Sequence, residues 1–150
     1  MKNLVIIPAL HRATHRVGLY LQARVPRVTQ GEAHLLAHLH EGGGEGTVAE
    51  LHRAWAHKRS TLTDMIDRLE RQDLARRSVL PEDRRSVLVR LTAKGRRVAA
   101  AVHRELAALE RDILAQVGSG AQAGGLPAAL ETMGKAAASA AHSWGRGRAR

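Results

Sequence analysis

The 150-residue sequence contains no cysteine and no phenylalanine, and its only aromatic residues are Tyr20, Trp55 and Trp144. The missing cysteine excludes disulfides, thiolate zinc sites and thiol redox switches. So few aromatic rings argue against an all-β sandwich. They also argue against a single-strand binder, which stacks bases on aromatic side chains. The apolar run at residues 4–10 is interrupted by Pro8 and is too short to span a bilayer, so we expect a cytoplasmic protein with no membrane partner.

Acidic residues are also scarce. Aspartate and glutamate number 14 against 24 lysines and arginines, which gives a formal net charge of +10. Such a balance predicts attraction to polyanions, with nucleic acid as the leading partner. With 44% hydrophobic and 25% charged residues the composition is that of a folded protein, and the length suits one domain or a core with appended helices.

Apolar periodicity and capping residues predict four helices in the first half of the chain. The first covers about residues 4–22 and could begin after Pro8. The second follows Thr29, which forms a capping-box pattern with Glu32, and runs to about residue 41. The glycine-rich residues 42–46 predict a flexible turn. A short helix at 48–55, with Thr47 and Glu50 in the same capping pattern, is followed at once by a helix at 58–72, so the pair is a helix-turn-helix candidate.

A β-hairpin is predicted directly behind these helices. Residues 74–80 and 87–91 favour strands, and the polar residues 81–86 between them favour a turn. From Thr92 a long helix runs to about residue 117 with a near-heptad apolar stripe, and a last helix is expected at 127–144. The predicted fold is therefore mainly α with a small β-hairpin wing, a winged helix-turn-helix core with N- and C-terminal dimerisation helices. The stripe's six members are Val98, Val102, Leu106, Leu109, Ile113 and Val117.

The second helix of the pair is the candidate recognition helix. Its apolar positions fix the opposite face, so Ser60 and Asp64 point away from the core and Thr61, Thr63 and Arg68 lie on the flanks. Hydroxyls can bond to base edges, and arginine can read guanine or hold phosphate. The alternative is an ordinary solvated helix face, which the order helix, turn, helix, hairpin makes less plausible.

Positive charge is concentrated on the predicted wing. Only Glu82 and Asp83 oppose eight basic residues between positions 76 and 97. An arginine at a hairpin tip can enter the minor groove, where negative potential is enhanced, and Asp83 could orient Arg85 through a bidentate pair. The alternative is an ordinary charged turn. The eight basic residues are Arg76, Arg77, Arg84, Arg85, Arg90, Lys94, Arg96 and Arg97.

Residues 47–98 resemble the winged-helix region of the MarR family of bacterial transcription regulators. The matching runs are STLT at 60–63, DRLER at 67–71 and, most specifically, DRRSVLVRLTAKG at 83–95. The resemblance covers the middle third of the chain in motif and the whole chain in layout. It implies a non-enzymatic homodimer without a cofactor, whose two winged helices read a pseudo-palindrome in double-stranded DNA, commonly as a repressor.

The resemblance also assigns regions and roles. Residues 1–28 and 92–144 would form the helical dimerisation region, 29–91 the winged helix-turn-helix, and 145–150 a basic disordered tail. A pocket between the two regions would take a small-molecule effector, often an anionic phenolic compound. The candidate DNA-binding residues are Lys58 and Arg77 on phosphates, Ser60, Thr61 and Asp64 on bases, Arg85 in the minor groove oriented by Asp83, and Thr63, Arg68 and Arg84 beside them.

The chain departs from the family pattern at two positions. Asp64 stands where a basic residue is common, and its carboxylate could accept from a cytosine amino group, which would make the base preference unusual. Asp73 stands where glycine is usual at a helix end, so we expect a left-handed backbone there, which aspartate tolerates with some strain.

Nine histidines are the other unusual feature. The pairs 11/15 and 34/38 each share a helix face, a spacing that can chelate a metal, and His40, Glu41 and His103 could add ligands. We predict no metal site but keep a metal-responsive regulator as an alternative. His11, His15 and His38 are instead candidates for an effector pocket. The other alternative is an architectural protein that coats DNA without sequence preference, suggested by the net charge and the basic tail.

Overall fold

The computed structural model describes residues 4–55, 58–80, 86–117 and 125–137. Residues 125–137 are also helical, and no described helix is long and apolar enough to cross a membrane. The predicted class, mainly helical with a small β-hairpin wing, is confirmed. The elements follow in the order α1 (Ile6–Arg24), α2 (Gln30–Glu41), β1 (Glu45–Thr47), α3 (Val48–Trp55), α4 (Arg59–Arg71), β2 (Ala75–Val79), β3 (Val87–Leu91) and α5 (Ala93–Val117).

Helix starts follow the sequence signals closely. Helix α1 begins at Ile6, before Pro8, because a proline in the first turn lacks only an N–H that the helix would leave unbonded. At α2 the backbone N–H of Glu32 donates to Thr29 Oγ1 at 3.3 Å, and the N–H of Thr29 donates to Glu32 Oε2 at 2.8 Å. The predicted capping box is therefore confirmed.

The start of α3 is built in the same way. The N–H of Thr47 donates to Glu50 Oε2 at 2.8 Å, and the N–H of Glu50 donates to Thr47 Oγ1 at 3.2 Å. The backbone N–H and the hydroxyl of Thr47, which both donate to Glu50 Oε2 at 2.8 Å, lower the pKa of Glu50 below its ordinary value. The carboxylate therefore remains ionised while it caps the helix.

The sheet has three antiparallel strands in the order β1-β3-β2. The pairing of β2 with β3, from Ala75 opposite Leu91 to Val79 opposite Val87, confirms the predicted hairpin. Strand β1 was not predicted, because Glu45 and Gly46 belong to the glycine-rich stretch that was predicted to be a turn; the turn is shorter than expected. Gly43 and Gly44, at φ +80° and +96°, reverse the chain so that residues 45–47 pair with β3.

The core lies between α2, α4 and the sheet, with α1 and α5 packed against it. The apolar positions of α4 are all buried, namely Leu62, Met65, Ile66 and Leu69. The α5 stripe divides: Val102 is fully buried in this core, whereas Ile113 and Val117 are exposed. By packing, the chain separates into Met1–Ala107 and Ala108–Arg150. The functional division into dimerisation and DNA-binding regions stays a prediction.

The beginning of α5 is joined to the end of α4. Thr92 Oγ1 donates to the carbonyl of Asp73 at 2.7 Å and accepts from the N–H of Gly95 at 2.9 Å. Asp73 has φ +57°, which confirms the expected left-handed backbone. A side chain at Gly95 would place its Cβ 1.8 Å from the carbonyl oxygen of Leu74, so only glycine fits there.

Candidate nucleic-acid interface

The first two turns of α4 present polar side chains to solvent. The helix begins at Arg59, with Lys58 at its N-cap position. Ser60, Thr61, Thr63 and Asp64 are all exposed. Within the described parts of the chain, none of these four side chains has a hydrogen bond or ion pair, so they are free to bind a ligand.

Arg68 on the same helix reaches back to α2 instead. Its Nε donates to Oε1 of Glu32 at 2.5 Å, and the Glu32 side chain is only 2% exposed whereas that of Arg68 is 43% exposed. The other oxygen of Glu32 accepts from the N–H of Thr29. One buried carboxylate therefore fastens α4 to the first turn of α2. Sequence reasoning placed Arg68 on a flank but could not show this pair.

Arg77 joins strand β2 of the wing to α4. Its Nη1 lies 2.5 Å from Asp67 Oδ1 and 2.6 Å from Glu70 Oε2, and its Nη2 donates to the carbonyl of Thr63. The backbone N–H of Arg77 also donates to Glu70 Oε1 at 2.8 Å. Both carboxylates neutralise the guanidinium, which fixes strand β2 against α4.

The other cations on the described strands are paired as well. Arg76 Nη2 lies 2.7 Å from Asp73 Oδ1, and Arg90 Nε lies 2.6 Å from Glu45 Oε2. The wing-tip candidates Asp83, Arg84 and Arg85 lie outside the described residues. The structure thus confirms the two paired strands of the wing. The roles of the residues at its tip stay predictions.

A groove of about 620 Å³ lies between α3, α4 and β3. Among the described residues that line it, none is acidic. Its basic residues Arg53 and Arg59 were not predicted as site residues. They flank the short link between α3 and α4, and their approach to β3 could not be read from the sequence. The lining residues are Thr47, Val48, Ala49, His52, Arg53, Arg59, Leu62, Thr63, Ser86 and Val87.

The predicted effector histidines fall into two groups. His11 and His15 stack on α1 with ring centroids 6.4 Å apart. His38 instead packs edge-on against Trp55, at 6.1 Å, beside His34, whose pKa is lowered by burial. His15 lines a cavity of about 420 Å³ near the start of α2, but neither His11 nor His38 lines it.

The additional candidates for metal ligands, His40, Glu41 and His103, lie close together. The rings of His40 and His103 are 5.2 Å apart, and His103 Nε2 lies 3.2 Å from Glu41 Oε1. Across the described ranges, however, no group of three or more histidine, aspartate or glutamate side chains has an arrangement that could hold a metal ion.

Two helices joined by a short link, a polar exposed face on the second and a strand pair fixed beside it define a winged helix-turn-helix protein. Residues 28–87 match the model of the MarR family. This part of the chain therefore resembles the MarR family, whose members are transcription regulators rather than enzymes. Repressor activity and homodimers are typical of that family.

Solved structures agree with this assignment in fold. The chain is similar to Staphylococcus aureus MepR in complex with DNA (20% identity, TM-score 0.76, covering 89% of this chain and 99% of that one). It is also similar to a probable transcriptional regulator from Pseudomonas aeruginosa (26% identity, TM-score 0.70, covering 85% of this chain and 96% of that one). A third similar structure is Streptomyces coelicolor PcaV with its natural ligand (23% identity, TM-score 0.69, covering 94% of this chain and 99% of that one). No curated protein matches the sequence significantly.

Proposed function

We propose that this chain is a cytoplasmic bacterial repressor of transcription. It would bind pseudo-palindromic double-stranded DNA as a homodimer. The observation that carries the proposal is the exposed polar N-terminal face of α4, fixed by ion pairs to α2 and to the wing. A recognition helix places its N-terminal residues against base edges in the major groove. Ser60, Thr61 and Asp64 are in that position, with Thr63 beside them.

Charge on this surface supports phosphate binding. Lys58 and Arg59 lie at the start of α4, where the free backbone N–H groups and the helix dipole also favour a phosphate. Arg53 adds a cation across the groove from α3. We assign Arg77 and Arg68 mainly to holding α4 in place, because their guanidinium groups are already bonded to carboxylates. Asp64 would accept from cytosine and repel phosphate, which favours specificity over affinity.

The homodimer is supported by exposed apolar side chains near both ends of the described chain. At the start, Leu4, Val5, Ile6 and Ile7 are 61–78% exposed. Toward the end, Ile113, Leu114, Val117, Leu126 and Leu130 are 38–43% exposed. Several large apolar side chains exposed within a short stretch of chain are typical of a surface that a partner covers. Light scattering on the purified protein should give the mass of two chains.

The wing is tested by Arg85→Ala. Using DNA from upstream of the protein's own gene, fluorescence anisotropy should show the Kd rising at least about fivefold, since an arginine contact in a groove contributes about 1–3 kcal/mol. The dimer mass should not change. Arg104→Ala, an exposed arginine on α5, is the control for lost charge. Equal affinities for wild type and Arg85→Ala would refute the wing assignment.

The same assay decides between regulator and architectural protein. A regulator should bind this DNA about 10³-fold or more tighter than random DNA in moderate salt. A ratio near one, with binding that salt abolishes, would favour the architectural alternative.

A small-molecule effector is the remaining part of the proposal. Of the three predicted histidines, His15 lines a cavity, so His15→Ala is the first variant to test against candidate anionic phenolic compounds. PcaV, to which this chain is similar, was solved with its natural ligand. If a compound that releases the DNA acts equally on wild type and His15→Ala, the effector does not use this cavity.

A further inference from the structure

The outward stripe of α4 carries two exposed side chains of opposite charge, Asp64 and Arg71. About two helical turns separate them, so both point away from the core in the same direction. Within the described parts of the chain neither side chain has a hydrogen bond or an ion pair. Together with Asp67 and Arg68 they line a shallow depression of about 200 Å³ on the helix surface. Arg71 was not among the predicted site residues, although it shares this stripe with Asp64.

The cation that could neutralise Asp64 is held by another element. An acidic side chain can pair with a basic one four positions later on a helix, and Arg68 stands at that position. The Nε of Arg68 donates instead to Oε1 of the buried Glu32 on α2. Leaving a buried carboxylate without its countercharge costs more free energy than leaving an exposed one unpaired. Arg68 therefore stays with Glu32, and Asp64 keeps an uncompensated charge.

The anion that could neutralise Arg71 is held in the same way. Asp67 stands four positions before Arg71, but its Oδ1 accepts from Nη1 of Arg77 on strand β2 at 2.5 Å. The same guanidinium also donates to Glu70 Oε2 at 2.6 Å, so Asp67 belongs to a network that joins α4 to the sheet. The guanidinium of Arg71 therefore remains available to a ligand outside the chain.

One unpaired anion and one unpaired cation on the same stripe suit the edges of base pairs better than the phosphate backbone. A phosphate would attract Arg71 but repel Asp64. In the major groove, a carboxylate can accept from the N4 amino group of cytosine, and an arginine can donate to both O6 and N7 of guanine. The stripe therefore has the chemistry to recognise two different bases at once.

The separation of the two residues sets the spacing of the bases. Seven residues of α-helix rise about 10.5 Å, and stacked base pairs are about 3.4 Å apart. We propose that Arg71 is a further base-reading residue and that, with Asp64, it selects a guanine and a cytosine about three base pairs apart in each half-site. This inference rests on the proposed DNA-binding function and adds the class of sequence that the site reads.

Selection from random DNA tests the inference. The probe is a pool of duplexes with a randomised segment of about 24 base pairs, long enough for two half-sites one helical turn apart. Wild type should enrich duplexes with a guanine and a cytosine at the expected spacing in each half-site. Asp64→Ala should lose the preference for cytosine alone, and Arg71→Ala the preference for guanine alone. Arg104→Ala, at an exposed position of α5, is the control and should select the wild-type sequence.

The outcomes of this selection separate the inference from the proposed function. An enriched sequence that lacks the two bases at this spacing would overturn the inference while DNA recognition stands. The same holds for an enriched sequence that Asp64→Ala and Arg71→Ala both select unchanged. If wild type enriches no sequence at all, the proposed sequence-reading function and the inference are both wrong.

Fluorescence anisotropy with the selected duplex then distinguishes base reading from phosphate binding by Arg71. Replacing the guanine pair by an A·T pair should raise the Kd of wild type at least about fivefold, whereas Arg71→Ala should bind the two duplexes equally. Arg71→Gln, which keeps a long side chain without the charge, is a second variant that should not prefer guanine. If both variants bind every duplex more weakly but keep the guanine preference, Arg71 contacts phosphate and the assignment is refuted.

Discussion

Arg68→Ala should destabilise the fold, because it leaves the carboxylate of Glu32 buried without its countercharge. Removing one partner of a fully buried ion pair costs about 3–5 kcal/mol. The Arg68 side chain is 43% exposed, so water can reach the vacated position, and we expect a smaller loss of about 2–3 kcal/mol. For a chain of this size the loss corresponds to a fall in Tm of about 5–10 °C.

A second substitution, Glu32→Gln, tests whether the unpaired carboxylate causes the loss of stability. Glutamine at position 32 keeps an oxygen that can accept from Thr29 but carries no charge. In wild type, Glu32→Gln should destabilise the protein because it weakens the bond to Arg68. In the Arg68→Ala background the same change should restore stability, because an unpaired charge is replaced by a neutral amide. The sign of the Glu32→Gln effect therefore depends on whether Arg68 is present.

Urea unfolding followed by circular dichroism measures these differences, with protein concentration held constant because the proposed dimer would make stability depend on concentration. Arg71→Ala is the matched control, since Arg71 lies three residues further along α4 and is exposed. Arg68→Ala within about 0.5 kcal/mol of that control would refute the reasoning. So would a further loss of stability when Glu32→Gln is added to Arg68→Ala.

Three other residues give simpler predictions. Gly95→Ala should destabilise the protein by more than 1 kcal/mol, because its Cβ would collide with the carbonyl of Leu74; urea unfolding tests this, and wild-type stability would contradict it. Burial lowers the pKa of His34 below 6.5, so the unfolded state binds the proton more readily and stability should fall as pH drops below about 6.5. His34→Asn should reduce that pH dependence, and an unchanged slope would exclude this role. Thr47 lowers the pKa of Glu50 below 4.5, so the capping contribution is present above pH 4.5 and is lost as pH falls through the folded value. Unfolding curves of wild type and Glu50→Gln should therefore differ at pH 7 and converge near pH 3.

Local rules predicted most of the fold. The capping pairs at Thr29 and Thr47 gave the starts of α2 and α3 because both partners lie within four residues of each other. Period-two alternation gave the bounds of β3 correctly. Strand β1 was missed because three residues with a central glycine have little strand preference, and they become a strand only by pairing with β3 across more than 40 residues of chain.

The candidate site was less predictable, because its geometry depends on long-range pairs. The exposed face of α4 could be derived from the helical period alone. The partner of Arg68 is 36 residues away on another helix, so no local pattern distinguishes it from an arginine that binds phosphate. The same holds for the groove cations Arg53 and Arg59, which become neighbours of the wing only when the sheet forms.

The distribution of the chain's positive charge bears on how selective its DNA binding can be. A protein that coats DNA without preference gains most from unpaired cations on its surface, because each one can release a counterion. Here four arginines of the recognition helix and wing, within the described residues, are bonded to carboxylates instead. These pairs add nothing to nonspecific attraction, but they hold the reading helix, α2 and the sheet in one arrangement. Fixed geometry is what base readout needs, since a bidentate contact to a base edge depends on the side chain's position. The pairs therefore favour a sequence-reading regulator over an architectural protein. They are Arg68–Glu32, Arg76–Asp73, Arg77 with Asp67 and Glu70, and Arg90–Glu45.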